Sequence, residues 1–248
     1  MPPLSPRHPV AAARALIGSH RWVAGFLTGI GGWVLYVVAL RLAPLSIVQA
    51  ASAGGIGVLA LLVSRGGTAL SRSERAGVVV SLLGLVLLGA SLAGEATPTS
   101  HGSASSVALW MGASAAAALL AAGPGARRLA AGAGLGAAAG ILYAAGDVGT
   151  KAAVLGGQRL WFVPPVLACH GAAFVALQLG FQRGRALSTA GVATVLTNAL
   201  PIVAGTALFG ERLPHGALGV LRVLAFAAVV GGAGLLARPD AGLDTPDA

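Results

Sequence analysis

The stretch GVVVSLLGLVLLGASLAG, residues 77–94, is apolar throughout except for two serines. A strand of a membrane barrel would alternate apolar and polar side chains, and this stretch shows no such alternation. Because lipid offers no hydrogen-bond partner to the backbone, only a helix or a closed barrel can cross a bilayer. Residues 77–94 are therefore predicted to lie in a transmembrane helix.

The composition of the whole chain extends this prediction. Of its 248 residues, 56% are hydrophobic and 9% are charged, and the mean hydropathy is +0.85. A water-soluble domain carries about 25% charged residues, so that class is excluded. The formal charge of +9 is distributed over the ends of apolar stretches rather than gathered in one patch with aromatic residues, which argues against a nucleic-acid partner. The single cysteine, Cys169, excludes a disulfide within the chain.

Apolar stretches of bilayer-spanning length follow one another along the chain. A hydrocarbon core about 30 Å thick needs roughly 20 apolar residues per helix. The predicted spans are residues 22–40, 44–64, 76–96, 105–124, 129–150, 160–182, 187–209 and 215–237. We expect a disordered basic segment at residues 1–21 and a disordered acidic tail at residues 238–248. The predicted fold class is all-α, a polytopic membrane helix bundle with eight transmembrane helices.

The basic residues give a prediction of topology. Lys and Arg number 16, and alternate sides of the predicted bundle hold eleven and five of them. The poorer side holds Arg41, Lys151, Arg159, Arg212 and Arg222. Cytoplasmic loops carry the excess of Lys and Arg. We therefore predict a multi-pass protein of the cell membrane with both termini in the cytoplasm.

Two parts of the sequence resemble each other loosely. Residues 36–55, a loop and residues 78–89 parallel residues 174–195, a second loop and the last apolar stretch. The second copy is preceded by one more span, at 129–150, so the first copy is one helix short. We interpret residues 22–96 as an incomplete three-helix repeat, residues 105–124 as a linker helix and residues 129–237 as a four-helix repeat. A linker helix inverts the second repeat, and inverted repeats are typical of alternating-access transporters with a site near the midplane.

Three short motifs carry a resemblance to a known family. They are ALRLAPLSIVQ at residues 39–49, LSRSERAGVVVSLLGLVLLG at 70–89 and ALFGERLPHGALG at 207–219. These motifs resemble the drug/metabolite transporter superfamily, and most closely its EamA-like and NIPA-type magnesium transporter branch, over about residues 11–237. The chain departs from the family pattern by lacking a leading helix in the first repeat, which makes a truncated start an expectation. It also has Ala69 where the second copy has Glu211.

Ionisable residues inside predicted spans are candidates for function, because each costs about 2.5 kcal/mol or more to insert. Asp147 and Lys151 are four residues apart and share a face of one helix. Arg222 lies roughly 10 Å inside the outer boundary by helix rise. We expect an Asp147–Arg222 pair, which either locks the outer half of the bundle or neutralises a substrate cavity. An interfacial Asp147–Lys151 pair is the alternative.

Uncharged polar residues predict a substrate pathway. The candidates are Gln49, Ser52, Tyr143, Asp147, Thr194, Thr197 and Asn198. A pseudo-twofold axis would bring the second span of the first repeat against the seventh span. Pro201 frees a backbone carbonyl one turn earlier, which gives a further ligand group. The alternative is that these side chains only form hydrogen bonds between helices.

Two further side chains are candidates for a proton relay, His170 in the sixth span and Glu95 at the outer end of the third. The alternative for His170 is an interhelical hydrogen bond. Glycines at positions 132, 136 and 140 recur every four residues, and this spacing predicts a ridge for close helix contact.

The sequence favours a small-solute transporter that works by alternating access. The alternatives are a NIPA-like divalent-cation carrier, a truncated membrane protein that does not transport, and an intramembrane hydrolase using Ser114 and His170. We expect no catalytic residue, no bound metal and no cofactor. The expected partners are a small-molecule or ion substrate and the lipid bilayer, and a homodimer is left open.

Overall fold

The computed structural model describes residues 18, 20–65, 72–91, 102–123, 132–183, 186–212 and 214–236. Over these ranges the chain forms α-helices and one 3-10 helix, Gly157–Phe162, and no strand. The α-helices are α1 (His20–Leu42), α2 (Leu45–Arg65), α3 (Arg72–Ser91), α4 (Ala104–Ala122), α5 (Ala133–Ala153), α6 (Val163–Arg183), α7 (Ala186–Phe209) and α8 (Ala217–Leu236). The all-helical fold class is therefore confirmed.

Each predicted span coincides with one of these helices. By length and composition, four helical segments of the described ranges are able to cross a membrane: Val23–Leu42, Ala104–Ala122, Gly157–Arg183 and Thr189–Phe209. Shorter apolar segments, Arg75–Ser91 and Ala217–Gly232, lie in α3 and α8. The number of eight transmembrane helices stays a prediction.

We call α1–α3 the first half of the bundle and α5–α8 the second half. Helix α5 forms the centre of the second half. It packs against α4, α6 and α7, and also against α1 of the first half. Nearly every residue from Ala144 to Ala153 is buried. In contrast, α1 exposes large apolar side chains, and Leu35 is 71% exposed. An apolar surface of this kind is suited to lipid contact.

Glycines allow the tightest helix contacts, as their spacing predicts. A Cβ at Gly140 would lie 2.7 Å from the carbonyl oxygen of Ala193 on α7, and a Cβ at Gly136 would overlap the backbone of Thr189. Gly132 departs from the prediction, because it precedes α5 with a φ of 84°. A left-handed φ suits a residue without a Cβ. The ridge is therefore confirmed for two of its three glycines.

Helices α3 and α8 form the most extensive helix pair. A Cβ at Gly84 would lie 2.7 Å from Val229 Cγ2, and a Cβ at Gly232 would lie 2.7 Å from the backbone nitrogen of Ser81. The two helices belong to different halves of the chain. Their close packing joins the halves through backbone surfaces.

Contacts between distant residues place several helix ends together. The turn between α1 and α2 meets Lys151 near the end of α5 and Glu211 just after α7. The last residue of α3, Ser91, meets Arg222 near the start of α8. We call this side of the bundle, with the α1–α2 turn and the C-terminal ends of α3, α5 and α7, the charged end.

The first prediction concerns the α5–α7 contact. Gly140→Ala forces a methyl group against α7, and overpacking of this kind costs about 1–3 kcal/mol. We expect a lower midpoint of thermal unfolding in detergent. Gly112→Ala on α4 is the matched control, because no atom lies within 4 Å of its added Cβ. Equal midpoints for the two variants would contradict the contact.

Candidate functional site

Polar side chains from five helices meet inside the bundle. We call this group the polar cluster, and its members are Tyr36, Gln49, Tyr143, Asp147, His170, Thr197 and Asn198. Tyr36 and Gln49 come from the first half of the chain, and the other members come from α5, α6 and α7. The cluster is therefore shared between the two halves.

Asp147 and His170 form the ionisable part of the polar cluster. Asp147 is 8% exposed, and its Oδ1 atom lies 3.7 Å from His170 Nε2. That distance is longer than a hydrogen bond but short enough for a strong charge interaction. Tyr36 and Gln49 are further neighbours of the carboxyl group. The acid thus lies among polar groups in an otherwise apolar interior.

The orientation of the His170 ring determines where its protons lie. Nδ1 lies 3.0 Å from the carbonyl oxygen of Val166, one turn earlier on α6. A carbonyl only accepts, so Nδ1 carries hydrogen. Nε2 then faces Asp147, and a proton on Nε2 or on the carboxyl group prevents two lone pairs from facing each other. One proton on either side chain is therefore enough to satisfy this arrangement.

The backbone of α5 makes room for this ring. A Cβ at Gly146 would overlap the imidazole of His170. Tyr143, one turn earlier on α5, packs its ring edge against the same imidazole, with centroids 5.8 Å apart and planes at 67°. Edge-to-face packing of aromatic rings is favourable in its own right. His170 is thus fixed from two sides.

Gln49 joins the two halves of the cluster. Its Oε1 accepts a hydrogen bond of 3.0 Å from the Tyr36 hydroxyl. Its Nε2 donates to the Thr197 carbonyl at 2.8 Å and faces Asn198 Oδ1 at 3.4 Å. The Thr197 carbonyl is free because Pro201, four residues later, has no N–H. The repeat and the proline together predicted this meeting of α2 and α7.

Thr194 and Ser52 contribute less than the sequence predicted. Thr194 presents its backbone carbonyl, which accepts from Asn198 Nδ2 at 2.7 Å. Ser52 is exposed and lies outside the polar cluster, and its place in a substrate pathway stays a prediction. Ser52 shares a helix face with Gln49, but neighbouring helices cover α2 at Gln49 and leave it exposed at Ser52. Glu95 lies outside the described residues.

The predicted Asp147–Arg222 pair is wrong. Arg222 donates from Nη2 to the Ser91 carbonyl at 2.6 Å and from Nε to Ser91 Oγ at 3.2 Å. It therefore caps the C-terminal end of α3, where carbonyls lack helical partners. Helix rise predicts how far Arg222 lies along its helix but not the direction in which its side chain points.

Lys151 is also a capping residue. Its ammonium group donates to the Leu40 carbonyl at 2.5 Å and to the Ala43 carbonyl at 2.8 Å. The predicted partnership with Asp147 is replaced by these two contacts at the end of α1. The charge compensates the negative end of the α1 dipole.

Sequence reasoning missed the roles of two residues. Glu211 lies between predicted spans and was noted only in a motif, yet its carboxylate accepts from the backbone of Leu45 and Ser46. Tyr36 was not among the candidates, yet its hydroxyl donates to Gln49 Oε1. The one available signal for Glu211 was Pro44 at the start of α2, since a helix start leaves amides that need an acceptor.

Within the described ranges, no group of three or more His, Cys, Asp and Glu residues is arranged to hold a metal ion. No family model matches the chain, and neither curated proteins nor solved structures give a match.

The second prediction tests the separation of Asp147 from Arg222. Because the two side chains have different partners, the losses of unfolding free energy for D147N and R222Q should add within about 0.5 kcal/mol in the double variant. Reversible unfolding in mixed detergent measures each loss. A coupling free energy above about 1 kcal/mol would restore the predicted pair.

Proposed function

We propose that the protein is an integral membrane transporter that moves a small solute by alternating access, with the polar cluster as its site. One observation carries the proposal: a buried acid faces a histidine inside the bundle, among polar side chains from both halves. In a transporter built from repeats, the site lies between the halves and near the midplane. The proposal includes the drug/metabolite type of fold.

The pairing of helices supports two related halves. In the predicted repeat, α2 corresponds to α7 and α3 corresponds to α8. Both corresponding pairs pack against each other. Helices next to a twofold axis contact their own counterparts, so these pairings favour a pseudo-twofold arrangement. Gln49 on α2 meets Asn198 on α7 beside that axis.

The contacts of the described acidic side chains distinguish Asp147 from Glu211. Among the residues whose side chains the structure describes, the acids are Asp147 and Glu211. Glu211 is engaged with backbone amides at the start of α2. Asp147 caps no helix and faces a group that exchanges protons near neutral pH. A buried acid is retained in a membrane interior for function by default.

The Asp147–His170 pair supports coupling of the solute to protons. When the pair holds one proton, it is neutral or an internal ion pair. When it loses that proton, a net negative charge is left in the bilayer interior, which is unfavourable. A cationic group of a solute or a returning proton removes that charge. The pair thereby links proton release to the binding of a solute.

The proposed orientation places the charged end outside the cell and both termini in the cytoplasm. The predicted outer side carries five basic residues and the inner side eleven. Lys151 and Arg222 at the charged end belong to the five, and both are engaged with backbone carbonyls. Eight transmembrane helices complete this proposed topology.

The third prediction tests transport. Purified protein in proteoliposomes, supplied with a pH gradient, is assayed for uptake over a panel of labelled amino acids, sugars, nucleosides and organic cations. We expect accumulation of at least one class and its loss in Asp147→Asn, because the variant removes the exchangeable charge. Gly146→Ala should also lower uptake, since the added methyl displaces His170 without changing any charge.

Ser52→Ala is the control, because Ser52 is exposed on α2 and lies outside the polar cluster. It should retain the uptake of the unmodified protein. Uptake no faster than in protein-free vesicles across the whole panel would overturn the transport proposal. Unchanged uptake in Asp147→Asn would remove the polar cluster as its site.

A further inference from the structure

The turn between α1 and α2 is held by two charges from the other half of the chain. Lys151 donates to the carbonyls of Leu40 and Ala43, and Glu211 accepts from the amides of Leu45 and Ser46, the latter at 2.9 Å. Both charged residues are buried, Lys151 with 3% and Glu211 with 5% of its surface exposed. The turn itself contributes no charged side chain to these contacts.

The two charges satisfy the groups that a helix turn leaves open. The last carbonyls of α1 and the first amides of α2 have no helical partners. Lys151 lies at the negative end of the α1 dipole, and Glu211 lies at the positive end of the α2 dipole. Each charge has the sign that its helix end favours. If the turn moves away, four polar contacts lose their partners together.

The backbone around Glu211 positions its carboxylate for this contact. Its amide donates to the Gly205 carbonyl at 3.1 Å, which folds the chain back after α7. A Cβ at Gly205 would overlap the Glu211 carboxylate. The carboxylate therefore occupies space that only a glycine on α7 leaves open. This gives a way to displace the acid without changing its charge.

The α1–α2 turn with Lys151 and Glu211, which we call the clamp, lies close to the polar cluster. Tyr36 is four residues before Leu40, Gln49 is four residues after Leu45, and Asp147 is four residues before Lys151. Four residues are about one helical turn, or about 6 Å. On α1, α2 and α5 alike, one turn thus separates the clamp from a cluster member. The clamp therefore lies on the side of the cluster that faces the charged end.

The sequence provides this acid in only one of the two related loops. In the loop after α2, Ala69 stands where the loop after α7 has Glu211. The second loop thus carries a closing device that the first loop does not repeat with an acid at that position.

We propose that Lys151 and Glu211 form a latch that keeps the charged end shut, and that this end opens by release of the α1–α2 turn. The latch rests on the proposed alternating-access function for its role as a gate. The closure itself is a property of the protein alone and is measured without any solute.

The fourth prediction uses a buried cysteine as a reporter of opening. Cys169 is replaced by Ser, and Val48→Cys places a thiol on α2 between the clamp and the polar cluster, at a side chain with 6% exposure. A membrane-impermeant thiol reagent is applied from the charged end in proteoliposomes, and the labelling rate is measured. We expect slow labelling in this background and a rate increased by roughly tenfold in E211Q and in K151M, because each variant removes a charged hydrogen-bond partner. Gly205→Ala should act in the same direction.

Arg212→Gln is the matched control, because it removes a charge from the same loop at an exposed position. It should leave the labelling rate unchanged. A second reporter, Ala193→Cys, lies on α7 against Gly140, one helical turn beyond Thr197 on the side away from the charged end, and detects general loosening. It should stay slow to label in every latch variant.

Two results would overturn the latch. One is slow labelling of Val48→Cys in both E211Q and K151M. The other is an equal rise at Ala193→Cys, which would make the two charges general structural supports. A latch that behaves as expected in a protein that moves no solute would overturn the transport proposal alone. Transport with an unaffected reporter would overturn the latch alone.

Discussion

Helix ends inside an apolar bundle need partners from the protein, because lipid offers none to backbone amides and carbonyls. At the charged end this need is met by ionised side chains from across the chain. Lys151 covers carbonyls at the end of α1, Glu211 covers amides at the start of α2, and Arg222 covers the last residue of α3. Each cap joins one half of the protein to the other, so the assembly of the halves depends on these contacts.

This use of charge also defines the candidate site. Once the capping residues are assigned, Asp147 and His170 remain as ionisable neighbours that cap no helix. Gly146 provides the space for the imidazole, and Gln49 ties the cluster to the first half. The charged end therefore contains a layer of charge-to-backbone contacts and, one helical turn deeper, the Asp147–His170 pair. The proposed transport and the proposed latch assign separate tasks to these two layers.

Much of the polar cluster was predictable because it follows from repetition along the chain. Gln49 and Asn198 lie on helices that correspond in the predicted repeat, α2 and α7, and their side chains meet in the structure. Pro201 predicted the free carbonyl of Thr197, because a proline nitrogen carries no hydrogen to donate. Ser52 shares a helix face with Gln49, three residues earlier, but α2 is covered by its neighbours at Gln49 and exposed at Ser52. The position of Arg222 along α8 was readable, but its partner Ser91 was not, since distance along a helix contains no information on direction.

The sequence by itself determined that the chain is helical, where its helices lie and that Gly136 and Gly140 allow close packing, because these depend on local composition and on periods of a few residues. Only the tertiary structure decided which charge meets which partner. Lys151 reaches a turn more than a hundred residues away, and Glu211 reaches α2 from still farther along the chain. The choice among partners depends on how helices are rotated and tilted in the assembled bundle. No local sequence pattern records that geometry. The rotation and tilt of the helices therefore decide which charged side chains cap helix ends and which form the Asp147–His170 pair.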